Sequence, residues 1–411
     1  MSAVVRAGYK LTEIGVIPND WDCVAFQALA SPVRNAIVGG PFGSDLVSAD
    51  YVDDGTPVIR GQNMSGSRYL LGPYVYVSHQ KARALEANLA RPGDVVFTQR
   101  GTMGQVSLVP PEPFEQYLVS QSQMKVTLKP SQATPDFFYC WFDSERGQRS
   151  IQLNTIQTGV PHINLGILRG LRVPCPPLPE QRAIATALSD VDALLTKLEA
   201  LIAKKRDLKV ATMQQLLTGQ TRLPGFSGAW EVKRLGDITE CLDNLRVPLN
   251  ESQRDQMRGD YPYCGANGVL DFVNDYVLDD DVILVAEDGG YFDEYAYRPL
   301  AYRMVGKCWI NNHAHILKAK AGYDQGLLFY LLVHKNIQSF LASGTRAKLN
   351  KSEMNKIEVK LSLDGHEQTA IATILSDMDT ELTALEARRD KTRALKQGMM
   401  QVLLTGEIRL L

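Results

Sequence analysis

The stretch from Glu180 to Leu223 returns near the C-terminus as Glu367 to Leu410, and the two copies align without a gap and agree at more than half their positions. A duplication of this kind marks a two-unit array, so whatever precedes each copy belongs to one unit. In the first copy Ile184, Leu188, Val191, Leu195, Leu198 and Ile202 alternate spacings of four and three, and the second keeps Ile371, Leu375, Met378, Leu382 and Leu385. That is the a/d seam of a coiled coil. Two long helices are expected, forming an antiparallel intramolecular coiled coil with the Ile184 to Leu198 seam against the Ile371 to Leu385 seam, because neither amphipathic helix is stable alone in water. A bland alternative is a coiled-coil adaptor in which the helices are only a spacer or a dimerisation device.

The boundaries agree with long helices. Pro174, Pro176, Pro177 and Pro179 stop any earlier element, and Gly219 and Gly406 can take the left-handed cap after Leu217-Thr218 and Leu404-Thr405. Gly398 lies inside the second helix, where it costs about 1 kcal/mol relative to Ala. Fraying or a close helix contact is expected there.

At 411 residues, 45% hydrophobic and 22% charged, the chain can build two or three cores. Its net charge of −2 supplies no global field for a polyanion, so nucleic-acid binding would rest on local basic patches or on partners. Six cysteines with no CxxC pair fit a reducing cytoplasm rather than a zinc ribbon or disulfide framework. The N-terminus has no apolar signal core, and no apolar run approaches about 18 residues. The expected protein is cytoplasmic and makes no contact with a membrane.

Both units open alike, with a Gly/Pro turn, a Trp (Trp21, Trp230) and an apolar run. In the first, Val58-Ile59, Tyr74 to Val77, Val95 to Thr98 and Val106 to Val109 read as strands, followed by a helix over Asp136 to Leu153. In the second, strand-like runs lead to a helix over Asp324 to Ala342. The expected fold is α+β: two mixed-sheet domains separated by the long helices. The expected segments are 1–175, 176–223, 224–362 and 363–411.

Catalytic signatures are missing from the sequence. There is no Walker-type GxxxxGKS or GxxxxGKT loop and no GxGxxG after a strand, so no catalytic residue is assigned. His313 and His315 lack further ligands at zinc spacing, and Asp279 to Asp281 read as turn residues; no metal is expected. The Gly-rich turns carry side chains that base edges require, Arg for guanine and Gln or Asn for adenine. In the first unit these are Arg60, Gln62, Asn63, Gln99 and Arg100, with Gln121, Gln123 and Lys125 alternating along one strand face, and His162 nearby. In the second they are Asn267, Tyr291 and His313, with Arg346, Lys348 and Lys351 as phosphate contacts. The bases Lys204, Lys205, Arg206 and Lys209 and their counterparts Arg388 to Lys396 read as a solvated helix face.

The order of a recognition-type unit, PPLPEQ (Pro176 to Gln181) with a helix ending LLTG (Leu216 to Gly219), a second unit, and a second EQ helix ending LLTG (Leu403 to Gly406) resembles the specificity subunit of type I restriction-modification systems. GGPFGSDL, PVIRGQN and PGDVVFTQRGTMG look like one class of that family's target recognition domains, and YCGANGVLDFVNDYV, AEDGGYF and NNHAHIL like another. LSLDGHEQ replaces the proline-rich lead in the second copy. The resemblance implies a chain that does no chemistry itself but reads a bipartite, asymmetric double-stranded DNA site, one half per domain. It implies two adenine methyltransferase (modification) subunits as partners, with restriction subunits joined through them, and S-adenosylmethionine, ATP and Mg2+ used by those partners rather than by this chain. A two-component system, in which one partner both methylates and cuts, fits the same sequence. A helix of about 35 residues spans about 50 Å, or roughly 15 base pairs, so an unread spacer between half-sites is expected.

Overall fold

The computed structural model describes residues 6–342 and 347–410; Arg346 lies outside the described residues. The chain divides into two compact units, Met1–Lys197 with Arg389–Leu411, and Leu198–Arg388. The long helices are Leu178–Leu216 and Gly365–Leu403. Each gives one part to either unit.

In the first unit Ile184 and Leu188 join a core that holds Phe137, Phe138, Met400, Leu403 and Leu404, and Lys396 reaches Asp192 at 2.7 Å. In the second, Leu216 shares a core with Ile371 and Leu375, Lys205 pairs with Glu381 at 2.7 Å, and Arg206 and Lys209 pair with Glu386 and Asp379. Within each unit numbers rise along one helix as they fall along the other, so the pairing is antiparallel. The expected seam is corrected by this register: Ile184 and Leu188 lie with Met400 to Leu404, and Ile371 and Leu375 with Leu216. The start of each helix is consumed by the globular core that precedes it in sequence; of the other expected seam residues, Leu198, Ile202 and Leu382 are buried and Val191, Leu195, Met378 and Leu385 half-buried. The basic residues read as a solvated face are partly cross-helix ion pairs.

Gly219 and Gly406 both take φ +70°, and each also admits a tryptophan: a Cβ on Gly219 would press on Trp230, and one on Gly406 on Pro18 and Trp21. Gly398 behaves otherwise than expected. The helix runs through it to Leu403, and a Cβ there would meet nothing within 4 Å.

The first unit stacks two small sheets. One has the order Val106–Leu108, Val95–Thr98, Gln123–Val126, Ile37–Gly39, all antiparallel. In the other, Thr56–Ile59 pairs in parallel with Tyr117–Val119, and Val75–Val77 lies antiparallel to Thr56–Ile59. The single helix expected over Asp136 to Leu153 is two, Pro135–Asp143 and Glu145–Leu153, because Ser144 leaves the helical conformation and caps the second by accepting from the Gly147 amide at 3.2 Å. The second unit is built on one mixed sheet. Leu278–Ala286 lies between Ala301–Ile310 and Ala314–Ala319, and Ala301–Ile310 continues in parallel to Arg258–Gly265. Its helix Gln325–Leu332 is capped by Asp324 and ends short of the expected Ala342.

The duplicated Glu-Gln dipeptide explains how both units close. Glu180 is fully buried and accepts from the Trp21 indole at 2.9 Å and from Arg409 Nη2 at 2.7 Å; Arg409 also grips Asp20 at 2.8 and 2.9 Å. Glu367, equally buried, accepts from Arg222 at 2.6 and 2.8 Å and from the Trp230 indole at 3.3 Å. Burial alone would raise the Glu367 carboxyl, but Arg222, Ser362 and Trp230 hold it below the ordinary range. Each glutamine does the same work as its counterpart. Gln181 accepts from the Thr134 amide at 2.9 Å and donates to the Pro176 carbonyl at 2.9 Å; Gln368 accepts from Asp324 at 2.8 Å and donates to Ser362 at 2.8 Å. The arginines come from the repeated RL that follows each LLTG, so the last residues of the chain serve the first unit as Arg222 serves the second.

Candidate nucleic-acid interface

In the first unit hydrogen bonds tie several loops to one another at the ends of both sheets. The Ser120 amide donates to the Ile59 carbonyl, just before Arg60, at 3.1 Å, and the Gln99 and Arg100 amides donate to Ser122 at 2.7 and 3.2 Å. Arg100 bridges to His162, and a Cβ on Gly39 would meet Gln99 Oε1 at 3.1 Å. Arg60, Gln99, Arg100, Gln121 and His162 are thus brought together, and Gln62 is exposed in the turn after Arg60, donating to the Pro73 carbonyl at 3.4 Å. Among the described residues Arg60 and Arg100 meet no carboxylate, and Arg60 Nε is buried without a hydrogen-bond partner.

Three candidates do not reach this surface as base readers. Gln123 and Lys125 are 1% and 6% exposed, with Lys125 paired to Asp94 at 3.3 Å and to Thr127 at 2.7 Å; strand alternation places them on one face, but the whole strand Gln123–Val126 is covered. Asn63 is buried, accepting from the Arg60 amide and donating to Leu71 and Pro73. It shapes the loop that carries Arg60. Gln121 is exposed, yet its amide nitrogen donates to Gly43 at 2.6 Å and Leu46 at 3.0 Å, which fixes the GGPFGS loop. The residue that sequence reasoning missed is at the tip of that loop: Phe42 is 90% exposed. In sequence GGPFGS reads only as a Gly-rich turn, and no aromatic residue in it is singled out.

The second unit gathers its own loops at one end of the mixed sheet. Asn267 donates to the Gly289 carbonyl at 2.9 Å, His313 meets Asp288 at 2.7 Å, and Lys348 pairs with Glu287 at 2.9 Å. Lys351 is exposed on the first turn of a short helix, Lys351–Met354. Tyr291 is covered by the Arg298 guanidinium, 3.5 Å above its ring. His313 and Lys348 are compensated by acids, unlike Arg60 and Arg100 of the first unit.

Beneath them lies a buried ion network that the sequence did not announce. His315, 1% exposed, meets Asp243 through Nδ1 at 2.6 Å and the Leu349 carbonyl through Nε2 at 2.8 Å. With a carboxylate on one side and a carbonyl on the other, both nitrogens donate, so the ring is an imidazolium. Burial alone would lower its pKa, but Asp243, Cys241 and Leu349 push it up to about 9. Burial alone would raise Asp243, which the His315 hydrogen bond and the Ile316 amide hold at about 2. Arg246 contacts Asp243 at 3.3 Å and also Glu287. Cys241, Asp243 and His315 lie close enough to surround a cation, but the donors of His315 are engaged and Arg246 and Lys348 already neutralise the carboxylates. The chemistry of the cluster is that of a closed ion network holding Leu349 and Lys348 to the sheet.

Two sheet-based units, each presenting loops at its sheet ends and each closed by the same buried Glu-Gln frame, define a duplicated architecture. The comparisons name the class. The family described as type I restriction modification DNA specificity domain matches residues 47–206 and again 228–393; the chain belongs to that family and carries its domain twice. A putative type I restriction enzyme specificity subunit of Haemophilus influenzae is 34% identical over 39% of this chain, a match spanning 40% of that relative. The putative type I restriction enzyme MjaX specificity subunit of Methanocaldococcus jannaschii is 24% identical over 98% of this chain and 96% of its own length. In fold the chain is similar to the S subunit of a type I restriction-modification system from M. genitalium, with a TM-score of 0.62 and 18% identity over 96% of this chain and 97% of that one. It is also similar to a chain from a structure on complex assembly and conformational transition of the type I system, with a TM-score of 0.52 and 16% identity over 95% and 99%. No described helix is long and apolar enough to cross a membrane.

Proposed function

We propose that this specificity subunit reads a bipartite, asymmetric DNA sequence, one half-site per unit, and seats two adenine-methylating subunits to which restriction subunits attach. The observation that carries the reading is that the closing frames of the two units are the same while their sheet-end loops differ: Arg60 and Arg100 without carboxylate partners in one, Lys348 and His313 paired with acids in the other. A shared frame suits a common partner, and differing loops suit two unlike half-sites. On this reading S-adenosylmethionine, ATP and Mg2+ are bound by the partner subunits, and the length of the two 39-residue helices governs the unread spacer. The test is to express the chain with a partner methylase and map methylated adenines across the genome. A gapped motif with unlike halves supports the proposal, whereas methylation without a motif returns the chain to an adaptor role.

A further inference from the structure

The GGPFGS loop holds an aromatic ring out in water by a set of independent restraints. A Cβ on Gly40 would collide with the Ser120 backbone, so only glycine lets the loop lie this close to the neighbouring turn. The Asn88 amide donates to the Gly39 carbonyl at 2.7 Å, and Gln121 donates to the Gly43 and Leu46 carbonyls on the far side of the tip. The Asp45 amide closes back on the Phe42 carbonyl at 2.8 Å, Gly43 takes φ +40°, and Pro41 is buried. Between these anchors Phe42 is extended and 90% exposed.

A ring this exposed forgoes the gain of apolar burial, and a loop pinned on both sides cannot fold it away. A surface that fixes it outward needs an occupant with an apolar slot. The loop's own neighbours decide which kind. Gln121, which pins the tip, lies beside Ser122, whose carbonyl carries Arg100, and Gly40 packs on Ser120, whose amide bonds next to Arg60. Two arginines without carboxylate partners thus lie on loops hydrogen-bonded to the turn that pins the ring, and Asp45 is the acid within the loop. A polyanion with stacked aromatic faces meets both requirements, since apolar side chains enter DNA between base steps while basic groups hold the backbone. A protein pocket would satisfy the ring and leave the arginines unexplained.

We infer that Phe42 is a wedge that inserts between two base pairs of the half-site read by the first unit, unstacking one step at a fixed distance from the bases that unit reads. This rests on the DNA-reading function proposed above. Insertion makes no phosphate contact, so removing the ring weakens binding without changing its salt dependence, whereas removing an arginine on a phosphate reduces the slope.

The test uses the assembled complex on its mapped site, with 2-aminopurine placed at successive positions of each half-site other than the methylated adenine. The wild type should brighten at one step, in one half-site only. Phe42→Ala should abolish that signal, weaken binding about thirtyfold and keep the wild-type slope of affinity against salt, with Phe42→Leu in between. Phe42 is exposed, so an unchanged melting temperature verifies that the variants are folded. A Phe42→Ala complex with wild-type affinity and an unchanged fluorescence pattern overturns the wedge alone. Loss of the methylating subunit from Phe42→Ala overturns it in favour of a protein contact. A wild-type complex that cannot tell its site from a scrambled duplex overturns the DNA reading and the wedge together.

Discussion

The buried Glu180 carboxylate offers the sharpest energetic test of how the first unit is held. Its partners are the Trp21 indole and Arg409, which lies near the end of the chain. In Arg409→Ala the carboxylate keeps only the indole, inside a site where its side chain is 1% exposed. Breaking a fully buried pair from one side costs about 3–5 kcal/mol. Arg409 is partly open to solvent, and water entering its place offsets some of this, leaving about 2–3 kcal/mol. For a unit of this size that lowers the melting temperature by about 4–12 °C. Glu180→Gln in the Arg409→Ala background removes the stranded charge and should recover part of the loss, so the two substitutions are strongly non-additive. Calorimetry of the four proteins measures the coupling, and limited proteolysis should show new cuts within Met1–Lys197 before any within Leu198–Arg388. An Arg409→Ala protein melting within 1 °C of wild type, or additive effects, would refute the claim that the chain end locks the first unit.

Two further outcomes are expected. Gly398→Ala places a methyl group in open space on a continuous helix and should stabilise the protein by about 0.5–1 kcal/mol; a lower melting temperature would contradict the geometry. His315 has a folded pKa of about 9 against an ordinary 6.5, so its contribution is complete below pH 6.5 and is lost as pH rises through 9. The amount at stake is about 3 kcal/mol. Melting followed from pH 6 to 9.5 should show the second unit weakening with rising pH in the wild type and a flatter profile in His315→Gln; parallel profiles would argue against the imidazolium.

Much of this architecture is legible in residue order because it rests on local rules. The helices follow from heptad spacing, and Gly219 and Gly406 mark their ends through a left-handed conformation that any reader of sequence expects there. The pairing of the seams is not local. Ile184 and Leu188 satisfy a coiled-coil pattern and a globular core equally well, and only the presence of Phe137 and Phe138 decides between them. The Glu-Gln dipeptide is visible as a repeat, but its purpose depends on Trp21 and Arg409, 159 and 229 positions away from Glu180. The same holds at the sheet-end loops. Alternation puts Gln123 and Lys125 on one face of a strand, yet whether that face is wet depends on what covers it. Phe42 is the converse case, an apolar residue whose exposure comes from loop anchors at Asn88 and Gln121.

Exchange of Trp230 to Leu361 for the corresponding segment of another family member, followed by genome-wide mapping of methylated adenines with the same partner subunits, tests the central claim most directly. The account predicts that one half of the methylated motif changes while the other half, read by the unit carrying Arg60 and Arg100, stays as it was. A change in both halves, or in neither, would contradict it.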